Sequence, residues 1–168
     1  VKKGDRVIVC LPNMPQCVAA VYAINKIGAI ASMLHPLSVK SEADYTINLV
    51  GAKFAFCFDV SEKSFQNHPE LTVVMCRTAQ YFPKTVYGLA ANMMYKKKIK
   101  GKTGPAENVK KLIDWADFMK EGGKYIAEHG VPETETDYTA TAAIMMTGGT
   151  TGNPKGVMLS SENINNLS

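Results

Sequence analysis

Short runs of apolar residues alternate with helix-length stretches over the first 60 residues, and this alternation limits the folds open to the chain. The runs at 7–11, 29–34 and 54–58 are apolar almost throughout and contain β-branched and aromatic residues, which is typical of strands buried on both faces. Parallel strands must be joined by crossover segments, and such crossovers are right-handed. We therefore predict an α/β fold whose mostly parallel sheet is flanked by helices.

Turn and capping residues indicate where the first two helices begin and end. The first helix is predicted to start near Pro15, which suits a first helical turn, and to end at Gly28. The second is predicted to begin near Ser38 or Ser41, since a Ser-x-x-Asp spacing resembles a capping box, and to end at Gly51. Each helix then joins two predicted strands.

The pattern weakens after the third strand. A fourth strand is predicted at 71–76, after a turn at 68–69. Proline and glycine residues divide the segment 79–131 into short pieces, so we expect an irregular, insert-like segment with one short helix at 109–119. This segment adds little to the fold prediction.

A loop rich in glycine and threonine follows a strand predicted at 141–146, and Ser160 or Ser161 is placed to cap a helix after it. Glycines let the backbone approach a ligand closely, threonine hydroxyls donate hydrogen bonds, and a lysine supplies positive charge. The loop therefore predicts binding of a polyphosphate. The candidate binding residues are Thr147, Gly148, Gly149, Thr150, Thr151, Gly152 and Lys155.

The spacing within this loop excludes two common nucleotide-binding motifs. A Walker A loop places Gly-Lys-Ser/Thr after four variable residues, whereas here Lys155 lies between Pro154 and Gly156. The dinucleotide motif G-x-G-x-x-G also fails, because the loop's glycines are spaced differently and come late in the chain.

The loop resembles the phosphate-binding motif of the adenylate-forming enzymes, which include acyl-CoA synthetases, luciferases and the adenylation domains of peptide synthetases. The family usually has Thr-Ser-Gly-Thr-Thr-Gly-x-Pro-Lys-Gly, and Gly148 replaces the serine, as in many fatty acyl-CoA synthetases. Further segments resemble the family in the same order: Gly4-Asp5-Arg6-Val7, Leu11-Pro12-Asn13-Met14-Pro15, Lys26-Ile27-Gly28-Ala29, Glu42-x-x-Tyr45 and Gly51-Ala52-Lys53.

This resemblance implies a ligase that uses ATP, Mg²⁺ and coenzyme A to convert a carboxylate, most simply a fatty acid, into an acyl-CoA through an acyl adenylate. Lys155 is the candidate catalytic residue, because its charge can stabilise the departing pyrophosphate. The family's Mg²⁺ ligand and its C-terminal domain correspond to sequence after residue 168. We therefore expect residues 1–168 to be an incomplete N-terminal, AMP-binding domain that is inactive alone.

The charge and the cysteine content limit which partners and which cellular location the sequence predicts. The net charge is +4, and five lysines fall within 96–102 without an interleaved aromatic residue, so no nucleic-acid site is predicted. Such a run is usually a solvated surface, yet the apolar residues before it also fit peripheral membrane contact through 81–102. The cysteines and histidines are widely separated, so we predict no metal site and a reducing, cytoplasmic location.

Two alternatives remain open at this point. The chain could belong to a peptide-synthetase adenylation domain or to an aryl-CoA ligase, because these share the loop motif. It could also act as a non-catalytic α/β scaffold, since the activity of a complete enzyme does not pass to every part of it.

Overall fold

The computed structural model describes residues 1–99, 104–132, 137–148 and 154–166, which form a seven-stranded sheet covered by helices. The strands are β1 (Arg6–Cys10), β2 (Ile30–Met33), β3 (Phe54–Phe58), β4 (His68–Cys76), β5 (Val109–Asp114), β6 (Thr141–Thr147) and β7 (Lys155–Ser160). The helices are α1 (Pro15–Lys26), α2 (Lys40–Val50), α3 (Val86–Ile99), α4 (Trp115–His129) and α5 (Ser161–Asn165). Short 3-10 helices occur at Glu62–Phe65 and Thr78–Tyr81.

The order of the strands describes how the chain winds. Across the sheet the order is β5-β4-β3-β1-β2-β6-β7. The pairs from β5 to β6 are parallel, and only the pairing of β6 with β7 is antiparallel among the described residues. From β2 the chain returns through α2 to β3, on the other side of β1. The predicted mostly parallel sheet with flanking helices is confirmed.

Strand β1 lies at the centre of two cores. Ile8 and Cys10 face the layer that contains α2 and Glu62–Phe65, whereas Val7 and Val9 face α1 and α4. These four side chains are at most 1% exposed, because successive residues of a strand point to opposite faces and both faces are covered. The second core also contains an aromatic cluster, Phe56, Trp115 and Phe118.

The predicted helix at 109–119 is wrong in its first half. Val109–Asp114 forms β5, which pairs in parallel with β4, and α4 begins only at Trp115. The Asp114 carboxylate caps this helix by accepting a backbone hydrogen bond. The described part of 79–131 is also more regular than expected, because it contains α3, β5 and α4.

Two smaller predictions also need correction. Helix α2 begins at Lys40, after an extended Val39 that makes no side-chain capping bond, so neither Ser38 nor Ser41 serves as its cap. The turn predicted at 68–69 does not precede the fourth strand but forms the start of β4.

The residues after the glycine-rich loop form a strand that the sequence did not suggest. Lys155–Ser160 pairs with β6 as the second strand of a hairpin. The predicted cap of the last helix is confirmed at Ser160, whose Oγ accepts a hydrogen bond from the Asn163 amide at 3.1 Å. The loop therefore connects two adjacent strands.

Gly51 and Gly122 provide a matched test of this backbone. Gly51 follows α2 with a left-handed φ of 62°, and a Cβ there would lie 3.3 Å from an Arg6 nitrogen. We predict that Gly51→Ala lowers the free energy of unfolding by about 1–2 kcal/mol. Gly122→Ala should raise it by up to about 1 kcal/mol, because Gly122 lies within α4 and its added Cβ meets nothing within 4 Å. Urea denaturation measures the free energy of unfolding of both variants. Changes of the same sign would contradict the left-handed backbone at Gly51.

Candidate functional site

The glycine-rich loop opens between two residues that face each other across the β6–β7 hairpin. Thr147 ends β6, Lys155 begins β7, and the two are paired in the sheet register. Thr147, Gly148 and Lys155 are exposed. The predicted binding residues Gly149, Thr150, Thr151 and Gly152 lie outside the described residues.

This hairpin stands at an edge of the sheet where ligands commonly bind. The carboxyl ends of β2 and β6 lie side by side, since Met33 is paired with Met145. From β2 the chain turns back towards β3, whereas from β6 it continues outwards to β7. Neighbouring strands whose connections leave in opposite directions open a crevice at their carboxyl ends, which is the usual ligand site of open α/β sheets.

A cleft of about 490 Å³ occupies this crevice. Its apolar lining includes Leu34 and Met145, and its polar lining includes Glu42, Tyr45 and Thr147. The first turn of α2 borders the same space, and the positive end of a helix dipole favours an anion there. Together with the exposed Lys155, this arrangement fits a polyphosphate.

Two hydrogen bonds hold the described ends of the loop. The Tyr45 hydroxyl donates to the Pro154 carbonyl oxygen at 2.9 Å, which joins α2 to the loop. The Thr147 hydroxyl donates to the Lys155 carbonyl oxygen at 3.2 Å, which closes the base of the hairpin. Backbone atoms around Lys155 are thus fixed while its side chain stays exposed.

A second cavity, of about 400 Å³, lies beneath α3 at the carboxyl ends of β3, β4 and β5. Asp59 and Glu62 border it and are only 3% and 5% exposed. The Tyr95 hydroxyl donates to Asp59 at 2.6 Å, and the Ala106 amide donates to Glu62 at 3.2 Å. Burial raises the pKa of both carboxyls, although these hydrogen bonds oppose the change.

Sequence reasoning did not single out this buried polar cluster, although one signal was available. Asp59 and Arg77 each come directly after a buried strand, and the carboxyl ends of parallel strands share one edge of a sheet. Arg77 in turn forms an ion pair with Asp114 at the end of β5. Polar residues after three neighbouring strands therefore converge.

The cysteines and possible metal ligands add no further site within the described residues. All four cysteines are buried and unpaired, and burial raises the pKa of the Cys10 thiol to about 12. No group of three or more His, Cys, Asp or Glu in the described part of the chain could hold a metal ion.

Comparisons with known proteins agree with this geometry. The family model described as AMP-binding enzyme matches residues 1–168. The long-chain-fatty-acid–CoA ligase of Bacillus subtilis (strain 168) is 28% identical over 97% of this chain and 29% of its own length. The ligase of the same name from Salmonella typhimurium is 30% identical over 97% of this chain and 28% of its own length. This chain thus spans less than a third of these relatives.

Solved structures show the same fold. The adenylation domain of a carboxylate reductase from Mycobacterium chelonae superposes with a TM-score of 0.68, at 16% identity. The match covers 99% of this chain and 25% of the other. The sheet and its flanking helices therefore have the fold of one part of that larger domain.

The buried carboxyl Asp59 gives a pH-dependent prediction. Because its folded pKa is raised, the folded chain binds more protons than the unfolded chain between about pH 4 and that raised value. The free energy of unfolding should therefore fall as pH rises through this window. Asp59→Asn should make the dependence shallower, since one titrating group is removed.

Tyr95→Phe is the paired variant for this measurement. It removes a hydrogen bond that lowers the pKa of Asp59, so the dependence on pH should become steeper. Denaturation curves at several pH values test both variants. An unchanged slope in Asp59→Asn would show that this carboxyl does not titrate abnormally.

Proposed function

Because this chain belongs to the family of AMP-binding enzymes, we propose that it is part of the N-terminal domain of an ATP-dependent carboxylic acid–CoA ligase. The observation that carries the proposal is that the two described ends of the loop, at Thr147 and Lys155, are paired beside a cleft at the carboxyl ends of the strands. The loop's sequence suits a polyphosphate, and the crevice has room beside it.

In the proposed first reaction, a carboxylate oxygen attacks the α-phosphorus of ATP. A new oxygen–phosphorus bond forms, the bond to the β-phosphate oxygen breaks, and pyrophosphate leaves with an acyl adenylate remaining. We assign the β- and γ-phosphates to the loop. Hydroxyls of Thr150 and Thr151 and backbone N–H groups at Gly148, Gly149 and Gly152 would bind their oxygens. The Thr147 hydroxyl donates its one hydrogen to the Lys155 carbonyl oxygen, so we assign Thr147 to the base of the loop.

Lys155 has the catalytic role in this proposal. Negative charge develops on pyrophosphate as it leaves, and a cation at the end of the loop stabilises that charge more in the transition state than in bound ATP. Mg²⁺ would neutralise further phosphate charge, and we assign its ligands to sequence beyond residue 168.

In the proposed second reaction, the thiol of coenzyme A attacks the acyl carbon and AMP leaves. We assign this step to parts of a complete ligase that correspond to sequence beyond these 168 residues. We therefore propose that residues 1–168 form an incomplete AMP-binding domain and that 79–131 is an insert-like part of it. Residues 1–168 alone are expected to form neither acyl adenylate nor acyl-CoA.

The proposed substrate is a fatty acid. Support comes from the names of the relatives from Bacillus and Salmonella, both long-chain-fatty-acid–CoA ligases. The alternatives are an aryl-CoA ligase and an adenylation domain of a larger enzyme, as in the carboxylate reductase from Mycobacterium. Assay of the complete protein against fatty acids, aryl acids and amino acids separates these three.

Replacing Lys155 tests the proposed chemistry in the complete ligase. Lys155→Met removes the charge but retains a side chain of similar length, so adenylate formation from ATP and carboxylate should slow roughly a hundredfold to a thousandfold. Thioester formation from supplied acyl adenylate and coenzyme A should change much less, because pyrophosphate is absent from that step. Single-turnover rates of the two reactions provide the measurement.

The controls are an exposed lysine on α4 and the isolated chain. Lys124→Met should leave both rates unchanged, because Lys124 lies on α4, which packs against β4 and β5 at the opposite side of the sheet from the β6–β7 hairpin. Residues 1–168 alone should show neither reaction. Equal losses of both rates in Lys155→Met would mean that this lysine supports the fold rather than the departure of pyrophosphate.

A specific observation also favours contact of 81–102 with a membrane surface in the cytoplasm. Helix α3 exposes large apolar side chains, and three lysines occupy its last turn. The exposed side chains are Val86, Tyr87, Leu89, Met93 and Met94. Lys100 and Lys102 lie outside the described residues. We propose that this contact is peripheral. Among the described residues, no helix is both long and apolar enough to cross a bilayer.

Vesicle flotation of the complete ligase tests this second proposal. Each lysine near an anionic surface contributes about 1 kcal/mol, so binding should weaken as salt increases. Changing Lys96, Lys97, Lys98, Lys100 and Lys102 to serine should abolish most of the binding. The matched control changes five lysines elsewhere to serine, and should float as before; these are Lys53, Lys110, Lys111, Lys120 and Lys124. Equal flotation of the two variants would contradict the proposed membrane contact.

A further inference from the structure

We propose that Tyr45 is a positioning residue, which holds the backbone at Lys155 so that the lysine side chain points from a fixed place in the loop. This inference rests on the proposed ligase function, because it concerns the residue assigned to the departing pyrophosphate. It starts from the hydrogen bond of 2.9 Å from the Tyr45 hydroxyl to the Pro154 carbonyl oxygen. That contact joins residues 109 positions apart.

The two hydrogen bonds at the base of the loop act on the two peptide groups that flank Lys155. The Pro154 carbonyl belongs to the peptide group before the Lys155 Cα, and the Lys155 carbonyl belongs to the one after it. Tyr45 holds the first and the Thr147 hydroxyl holds the second. Rotation about either backbone bond of Lys155 would break one of these hydrogen bonds, so together they fix the direction of its Cα–Cβ bond, from which the side chain starts.

Tyr45 can act as an anchor because its helix is fixed on the sheet. Ala43 and Ile47, on either side of it in sequence, are at most 4% exposed and belong to the core. The neighbouring Asp44 accepts hydrogen bonds from Lys40 and His68 at 2.6 and 2.8 Å, which attaches α2 to the start of β4. A tyrosine side chain has few rotatable bonds, so the position of its hydroxyl is set by the position of the helix.

The residues on either side of Lys155 restrict the same stretch of backbone only in part. Gly156, which follows Lys155, has no side chain, and a Cβ there would lie 2.9 Å from an Ile144 methyl group. The ring of Pro154, which precedes it, fixes the φ angle of that residue but leaves its ψ angle free, and ψ sets the direction of the Pro154 carbonyl. The hydrogen bond from the Tyr45 hydroxyl holds that carbonyl.

The test uses Tyr45→Phe in the complete ligase, because phenylalanine keeps the ring in the cleft wall and removes only the hydroxyl. Loss of one such hydrogen bond should slow adenylate formation about five- to tenfold. Thioester formation from supplied acyl adenylate should keep its rate. Tyr22→Phe, at an exposed tyrosine of α1 that is 74% exposed, is the matched control and should change neither rate.

A double-mutant cycle with Lys155→Met separates positioning from a general structural role. If Tyr45 acts through Lys155, Tyr45→Phe should cost nothing further in an enzyme that already lacks the lysine, so the two effects are not additive. Additive losses would overturn the proposal. So would equal slowing of both half reactions in Tyr45→Phe, because that pattern indicates a weakened fold.

The same cycle distinguishes failure of this inference from failure of the proposed function. If the complete protein forms no acyl adenylate, or if Lys155→Met leaves adenylation intact, the proposed function is wrong. If Lys155→Met impairs adenylation while Tyr45→Phe does not, the ligase function stands and the positioning role is wrong. Hydrogen exchange at the Lys155 and Gly156 amides gives an independent reading, and it should accelerate in Tyr45→Phe but not in Tyr22→Phe.

Discussion

The pairing of β1 with β2 on one side and β3 on the other is the constraint on which this structure depends. Both pairings are parallel, so the chain must cross the sheet between them, first with α1 on one face and then with α2 on the other. Each crossover covers one face, and the central strand becomes buried on both. That burial accounts for the apolar run that begins the fold, because a polar side chain on either face would lose its hydration.

The same winding explains where the candidate functional residues lie. Parallel strands bring all their carboxyl ends to one edge, and the cleft beside Thr147 and the cavity beside Asp59 both lie along it. The antiparallel strand β7 begins where β6 ends, at the carboxyl ends of the parallel strands. A parallel strand would begin at the opposite ends. Lys155 therefore begins β7 directly opposite Thr147, and the loop between them starts and ends at fixed points.

Sequence reasoning succeeded where local patterns and tertiary environment agree. The apolar runs at 7–11 and 54–58 became central strands because their side chains suit burial on both faces. It failed at 109–114, where polar and apolar residues are mixed and only pairing with β4 makes the segment a strand. The loop residues could be proposed from their spacing alone, but the contact between Tyr45 and Pro154 could not. It joins distant parts of the chain through a single hydroxyl, and no local pattern marks such a contact.

Helix α3 links the buried cluster to the proposed membrane contact. Its inner face carries Asn92 and Tyr95, and Tyr95 supplies a hydrogen bond to the buried Asp59. Because Asn92 and Tyr95 occupy the side of the helix that faces the cavity and Asp59, apolar residues of α3 lie on its other sides, and Leu89 and Met93 are 65% and 73% exposed. The exposure of these apolar residues is thus explained by the contacts that the polar residues of α3 make inside the domain. A surface of this kind remains unfavourable in water until another apolar phase covers it, and the lysines of the last turn favour one that carries negative charge.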